Sequence, residues 1–94
     1  MPTTLASYLR GARLRHGWSQ PYTAGRAGIS LSTLLSVEAG RPAWPETVRR
    51  LACALGVDAE RAQDLLVQLA RAERAAHHDP TRGSAGGPSG QGRP

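Results

Sequence analysis

The side chains able to do covalent or metal chemistry in this sequence are few and scattered. Cys53 is the single cysteine. It stands among Leu51, Ala52, Ala54 and Leu55 with no base at an identifiable spacing, and it reads as a small core or near-core residue rather than a nucleophile. His77 and His78 adjoin one another with only Asp79 beside them, which makes a surface pair and not a zinc set. No glycine loop of the phosphate-cradling kind occurs, and no isolated pair of carboxylates sits in an apolar stretch. The residues therefore argue against an enzyme, and they call for no metal and no cofactor.

The chemistry that is present belongs to arginine. All 12 basic residues are arginine, against 7 acids, for a net charge of +5. Up to Val57, Arg10, Arg13, Arg15, Arg26, Arg41, Arg49 and Arg50 face only Glu38 and Glu46, so the whole excess lies there. From Asp58 onward the charges cancel. A concentrated basic field attracts a polyanion and speeds its encounter, although the same field also serves solubility. Arginine in place of lysine suits bidentate phosphate contacts, and a GC-rich genome produces the same bias.

These arginines must be held by short helices. Phe is absent, and the core has to come from Leu, Val, Ile and Ala, a mix that favours packed helices over a sandwich. Thr3 or Thr4 can cap a helix with Leu5, Tyr8, Leu9, Ala12 and His16 on one face. Ser19 can cap a second helix with Pro21 in its first turn, ending near Ala27. Gly28 then permits a tight turn, and Ser30 caps a third helix over about 30–39. Pro45 opens a fourth helix with the stripe Val48, Leu51, Ala52 and Leu55, closed by Gly56. Asp58 can cap a long fifth helix over 58–77. The run from 78 to 94 is Gly, Pro and Ser with hardly an apolar side chain, and a disordered tail is expected there. The folded unit is then 1–76. No leader and no long apolar run is read, and the lone cysteine fits a reducing cytoplasm.

The informative stretch is QPYTAGRAGISLSTLLSVE, Gln20 to Glu38. Two helices meeting at a steep angle need a small residue at their approach, supplied by Ala24, and a glycine in the turn, supplied by Gly28. Ala27, Ile29, Leu34 and Val37 fall where apolar plugs would face helices one and four. The outward face of the third helix is then left free to lie in a major groove.

With LRxxR at Leu9 to Arg13, GWSQ at Gly17 to Gln20, AGIS at Ala27 to Ser30, VEAGR at Val37 to Arg41 and PETVRRLACALGV at Pro45 to Val57, the chain resembles the lambda-repressor-like family of prokaryotic XRE or Cro/CI-type helix-turn-helix proteins. The resemblance covers about Leu5 to Leu69. It implies an all-α, five-helix DNA-binding domain. It further implies an ion pair between Arg13 and Glu38 that ties helix one to the end of helix three. Gln20 would reach the DNA backbone or an adjacent base, with plain helix capping as the alternative. Ser30, Leu31, Ser32, Thr33, Leu35 and Ser36 would form the reading surface. Arg41 is the best-placed phosphate ligand, with Arg26, Arg49 and Arg50 as further ones.

The sequence departs from that pattern in places. Helix three carries no Arg, Asn or Gln, the side chains that read guanine and adenine best, so readout there would be modest, shape-dependent or water-mediated. Leu31 and Leu35 could touch thymine methyl groups or face a protein partner. Thr23 replaces an aliphatic residue, and Gly25 weakens helix two, which is expected to pack loosely. Trp44 replaces the usual polar cap; it could lie over the sugar-phosphate backbone beside Arg41 or cover the helix-four core. The expectation is a transcriptional regulator, most simply a repressor, that binds double-stranded DNA as a homodimer through Leu65, Leu66, Leu69, Ala72 and Ala76. The competing expectation is an interaction module, such as an antirepressor or antitoxin-like partner, with weak DNA affinity. Neither involves a membrane.

Overall fold

A computed structural model of the protein describes residues 3–77. Five helices follow one another: α1 (Leu5–His16), α2 (Gln20–Ala27), α3 (Leu31–Glu38), α4 (Pro45–Leu55) and α5 (Ala59–His77). The described residues contain no strand. The tail expected at 78–94 lies outside them, as do the side chains of Ala76, His77 and His78.

Four of the five helices begin where the local sequence supplies an acceptor for their free amide groups. Thr4 takes the Ser7 amide in a capping box, Ser19 takes that of Tyr22, and Ser30 takes that of Thr33. Asp58 Oδ1 accepts from the amides of Glu60 and Arg61. Trp44 precedes α4 and offers no such acceptor, so that start rests on Pro45, whose missing N–H costs little in a first turn.

The core is aliphatic and drawn from every helix. Leu5, Leu9, Leu34, Leu51 and Leu65, with Val37 and Val48, are fully buried, and Ala24, Ala52 and Ala62 let the helices approach closely. Burying one such leucine contributes roughly 1.5 to 3 kcal/mol. Helix α4 packs against α1, α2 and α5, which makes it a buttress for α2. Its buried stripe is Val48, Leu51, Ala52 and Leu55, one face of a 3.6-residue repeat. Cys53 falls off that stripe and is exposed, not near-core as expected. Ile29 is half-buried at the rim. Helix α2 is not loose: Thr23, Ala24 and Ala27 are buried, and the Thr23 hydroxyl donates to the Ser19 carbonyl at 2.8 Å. That bond lets a polar side chain sit where an aliphatic one would.

Leu65 and Leu66 belong to this intramolecular core, so they are not free to form an intersubunit face. Leu69 is half-buried and Ala72 exposed. The buried part of α5 therefore ends near its middle.

Candidate nucleic-acid interface

Helices α2 and α3 are joined by three residues, Gly28, Ile29 and Ser30. Gly28 has φ +71°, a left-handed conformation that side-chain-bearing residues rarely adopt. The Ile29 amide closes back on the Ala24 carbonyl at 3.0 Å, and Arg50 on α4 donates Nη1 to the Gly28 carbonyl at 3.3 Å. A Cβ at position 28 would stand 3.2 Å from that same Nη1. The turn is thus fixed by its own backbone and stitched to the buttress.

The far end of α3 is held by charge. Arg13 donates Nε to Glu38 Oε2 at 2.7 Å and Nη2 to Glu38 Oε1 at 3.0 Å, a bidentate fork. Its third nitrogen, Nη1, donates to the Trp18 carbonyl at 2.8 Å. Gln20 adds Nε2 to Glu38 Oε1 at 3.1 Å. One carboxylate therefore gathers the end of α1, the start of α2 and the end of α3. Both charged side chains are withdrawn from solvent, Arg13 to 9% and Glu38 to 5% exposure. Gln20 was expected to reach DNA or to cap its helix. Its amide nitrogen belongs to this clasp, a relation between helices that no local signal in the sequence discloses.

With its back occupied by Leu34 and Val37 and Glu38 drawn into the clasp, α3 turns its other residues outward. Ser30, Leu31, Ser32 and Leu35 are exposed, and Thr33 and Ser36 are half-buried. None of the six expected reading residues is buried. Ser30 and Thr33 spend part of their capacity on each other, with Ser30 Oγ donating to Thr33 Oγ1 at 2.8 Å. Leu31 is 41% and Leu35 43% exposed.

The expected phosphate ligands divide into two kinds. Arg41 is exposed in the segment after α3, and its amide is anchored on the Ser36 carbonyl at 3.1 Å. Arg26 is exposed with its guanidinium 5.5 Å above the Trp18 ring. Arg49 and Arg50, by contrast, both bind Glu46. The hydrogen bond from Arg49, followed by that from Arg50, holds the Glu46 carboxyl down at about 2, and Glu46 in turn pushes the Arg49 guanidinium up. These two arginines contribute one net positive charge with their shared acid, not two free phosphate ligands.

Two further features were not foreseen. His16 stacks on Trp18 at 4.2 Å between centroids, Tyr22 meets Trp18 edge-on at 5.1 Å, and His16 Nε2 lies 2.7 Å from the Leu55 carbonyl. The GWSQ spacing hinted at Trp18 only as a link in a motif, because the partner residues come from three separate helical segments. A groove of about 520 Å³ also runs beside α3, lined by Ser32, Ser36, Val37, Pro42, Trp44 and Thr47 among others. Trp44 is 79% exposed at its edge, so it does not cover the helix-four core.

The arrangement defines a class: a helix pair fixed at a tight turn, buttressed from behind, with one short helix presented outward. Residues 4–65 match the sequence profile of a family described as a helix-turn-helix domain, and the chain belongs to that family. Neither the curated proteins nor the solved structures gave a match. Among the described residues no helix is long and apolar enough to cross a membrane.

Proposed function

We propose that this protein is a transcriptional regulator, acting as a repressor, that binds duplex DNA by laying α3 in the major groove. The observation that carries the reading is the outward face of α3, held in a fixed attitude by the Glu38 clasp at one end and the Arg50-stitched turn at the other. Ser32, Ser36 and the methyl groups of Leu31 and Leu35 would meet base edges, and Arg41 the phosphates. One such helix spans few base pairs. Family members of this type double the contact by two-fold pairing, and the half of α5 beyond Leu66, with Leu69 and Ala72, is the part of the expected dimer face still available.

The test is binding to random duplex across a salt series. The reading requires affinity that falls steeply with salt, and Arg41→Ala should flatten the logarithmic slope by about 1, the share of one phosphate. If Arg41→Ala and Ser32→Ala both leave affinity unchanged, α3 does not occupy the groove. A second reading rests on Leu31 and Leu35, two half-exposed leucines one turn apart, which suit a protein partner. It requires negligible DNA binding even at low salt.

A further inference from the structure

Trp44 is the most exposed large apolar side chain among the described residues, at 79%, and its position is built rather than incidental. Pro42 and Pro45 flank it at a distance of two and one, and a residue before proline is restricted to the extended region. Trp44 obeys with φ −69° and ψ 145°. Its backbone is therefore set before any partner arrives. The ring stands on one side of the groove whose other side is α3, through Ser32 and Ser36.

Resting on the DNA-binding reading above, we infer that Trp44 packs against the deoxyribose edge of one DNA strand, forming the wall contact that flanks α3. Whatever covers the groove must also meet Ser32 and Ser36, so the occupant of the groove and that of the reading face are continuous. The lining is hydroxyl and apolar and contains no carboxylate. Arg41 lies three residues upstream with its backbone tied to α3, and Glu46, two residues along the chain from Trp44, is paired with Arg49 and Arg50. An anionic strand would meet no repelling acid in that lining, and Arg41 directly precedes the lining residue Pro42 in the chain. A ring between a serine-lined helix and a basic segment suits a sugar better than a phosphate, because indole offers a broad apolar face and one N–H donor.

A sugar contact and a phosphate contact respond differently to salt, and that separates Trp44 from Arg41. Trp44→Ala is expected to weaken duplex binding about tenfold while leaving the salt slope intact, since no counterion is released by the ring. Trp44→Tyr should restore most of the affinity. Acrylamide quenching of the full chain should fall on adding duplex as Trp44 is covered. An unaltered melting temperature in Trp44→Ala keeps the affinity loss from being a folding defect, as expected of a side chain so exposed. Three results overturn the inference: unchanged affinity in Trp44→Ala with duplex still bound by the wild type, a slope that drops with the ring, or protection of Trp44 by raised protein concentration alone, which would place a second copy there. Absence of any wild-type binding at low salt would instead sink the DNA-binding reading itself.

Discussion

Replacing Glu38 by glutamine tests whether the three-helix clasp holds the domain together. The substitution keeps the shape but puts an amide where Arg13 and Gln20 direct three donors, so at most the oxygen end remains usable. Arg13 is then left with the Trp18 carbonyl and a charge that is 9% exposed. Breaking a buried pair by removing one partner costs about 3 to 5 kcal/mol. A unit of this size has a total stability of roughly 4 to 11 kcal/mol at about 0.05 to 0.15 per residue, so the variant loses a large share of it. Urea denaturation followed by far-UV circular dichroism reads the change directly, and the melting temperature should fall by roughly 12 °C or more. Gln20→Ala, which removes one donor and keeps the fork, should cost less, about 1 to 2 kcal/mol. The double change Arg13→Met with Glu38→Leu should be milder than Glu38→Gln, because it leaves no orphaned charge. A loss under about 1 kcal/mol for Glu38→Gln would mean the pair behaves as a solvated surface bridge, and the clasp would explain nothing about the attitude of α3.

Three further outcomes follow from single positions. Gly25→Ala should stabilise by up to about 1 kcal/mol, since its Cβ would meet nothing within 4 Å inside a regular helix; a lower denaturation midpoint would contradict the packing around α2. Thr23→Val should change stability by less than about 1 kcal/mol, because the Ser19 carbonyl keeps the Thr23 amide at 3.0 Å after the hydroxyl is gone. The Glu46 carboxyl, followed by NMR, should titrate near 2. Its value in the fold is lowered from 4.5, so any stability it lends is present above pH 4.5 and lost as pH falls through about 2. Arg49→Ala should raise that midpoint more than Arg50→Ala, and a larger shift for Arg50→Ala would reverse the order of the two bonds.

The helix ends were legible because their causes are local. Ser19, Ser30 and Asp58 cap within three residues, and the stops at Gly28 and Gly56 adjoin the last apolar position. The Arg13–Glu38 fork was legible only through the resemblance, as 25 residues separate the partners. The Gln20–Glu38 bond was not legible for a related reason: the end of a helix looks the same in sequence whether it faces a phosphate or a neighbouring carboxylate. Cys53 could have been read correctly. The stripe of Val48, Leu51, Ala52 and Leu55 leaves position 53 on the opposite side, and that geometry outweighs the apolar character of its neighbours. Trp44 had no such signal, because whether a loop aromatic folds inward depends on the space between α3 and α4.

A rigid scaffold and a weakly discriminating face have a joint consequence on the DNA-binding reading. A bidentate side chain on a base supplies about 1 to 3 kcal/mol of discrimination, and α3 presents no Arg, Asn or Gln to supply it. Ser32 and Ser36 can donate or accept with almost any base edge, and the leucines register only thymine methyls. Phosphate contacts from Arg41 raise affinity for every sequence alike. What the fixed attitude of α3 adds is intolerance of groove shape: a helix clamped at Glu38 and at Gly28 does not tilt to follow a distorted duplex, so the cost of deforming the site falls on the DNA and depends on its sequence. Pairing two such domains doubles that penalty for a wrong site while each face stays modest. Discrimination in this protein would then grow from the spacing and stiffness between two half-sites more than from the bases under either helix.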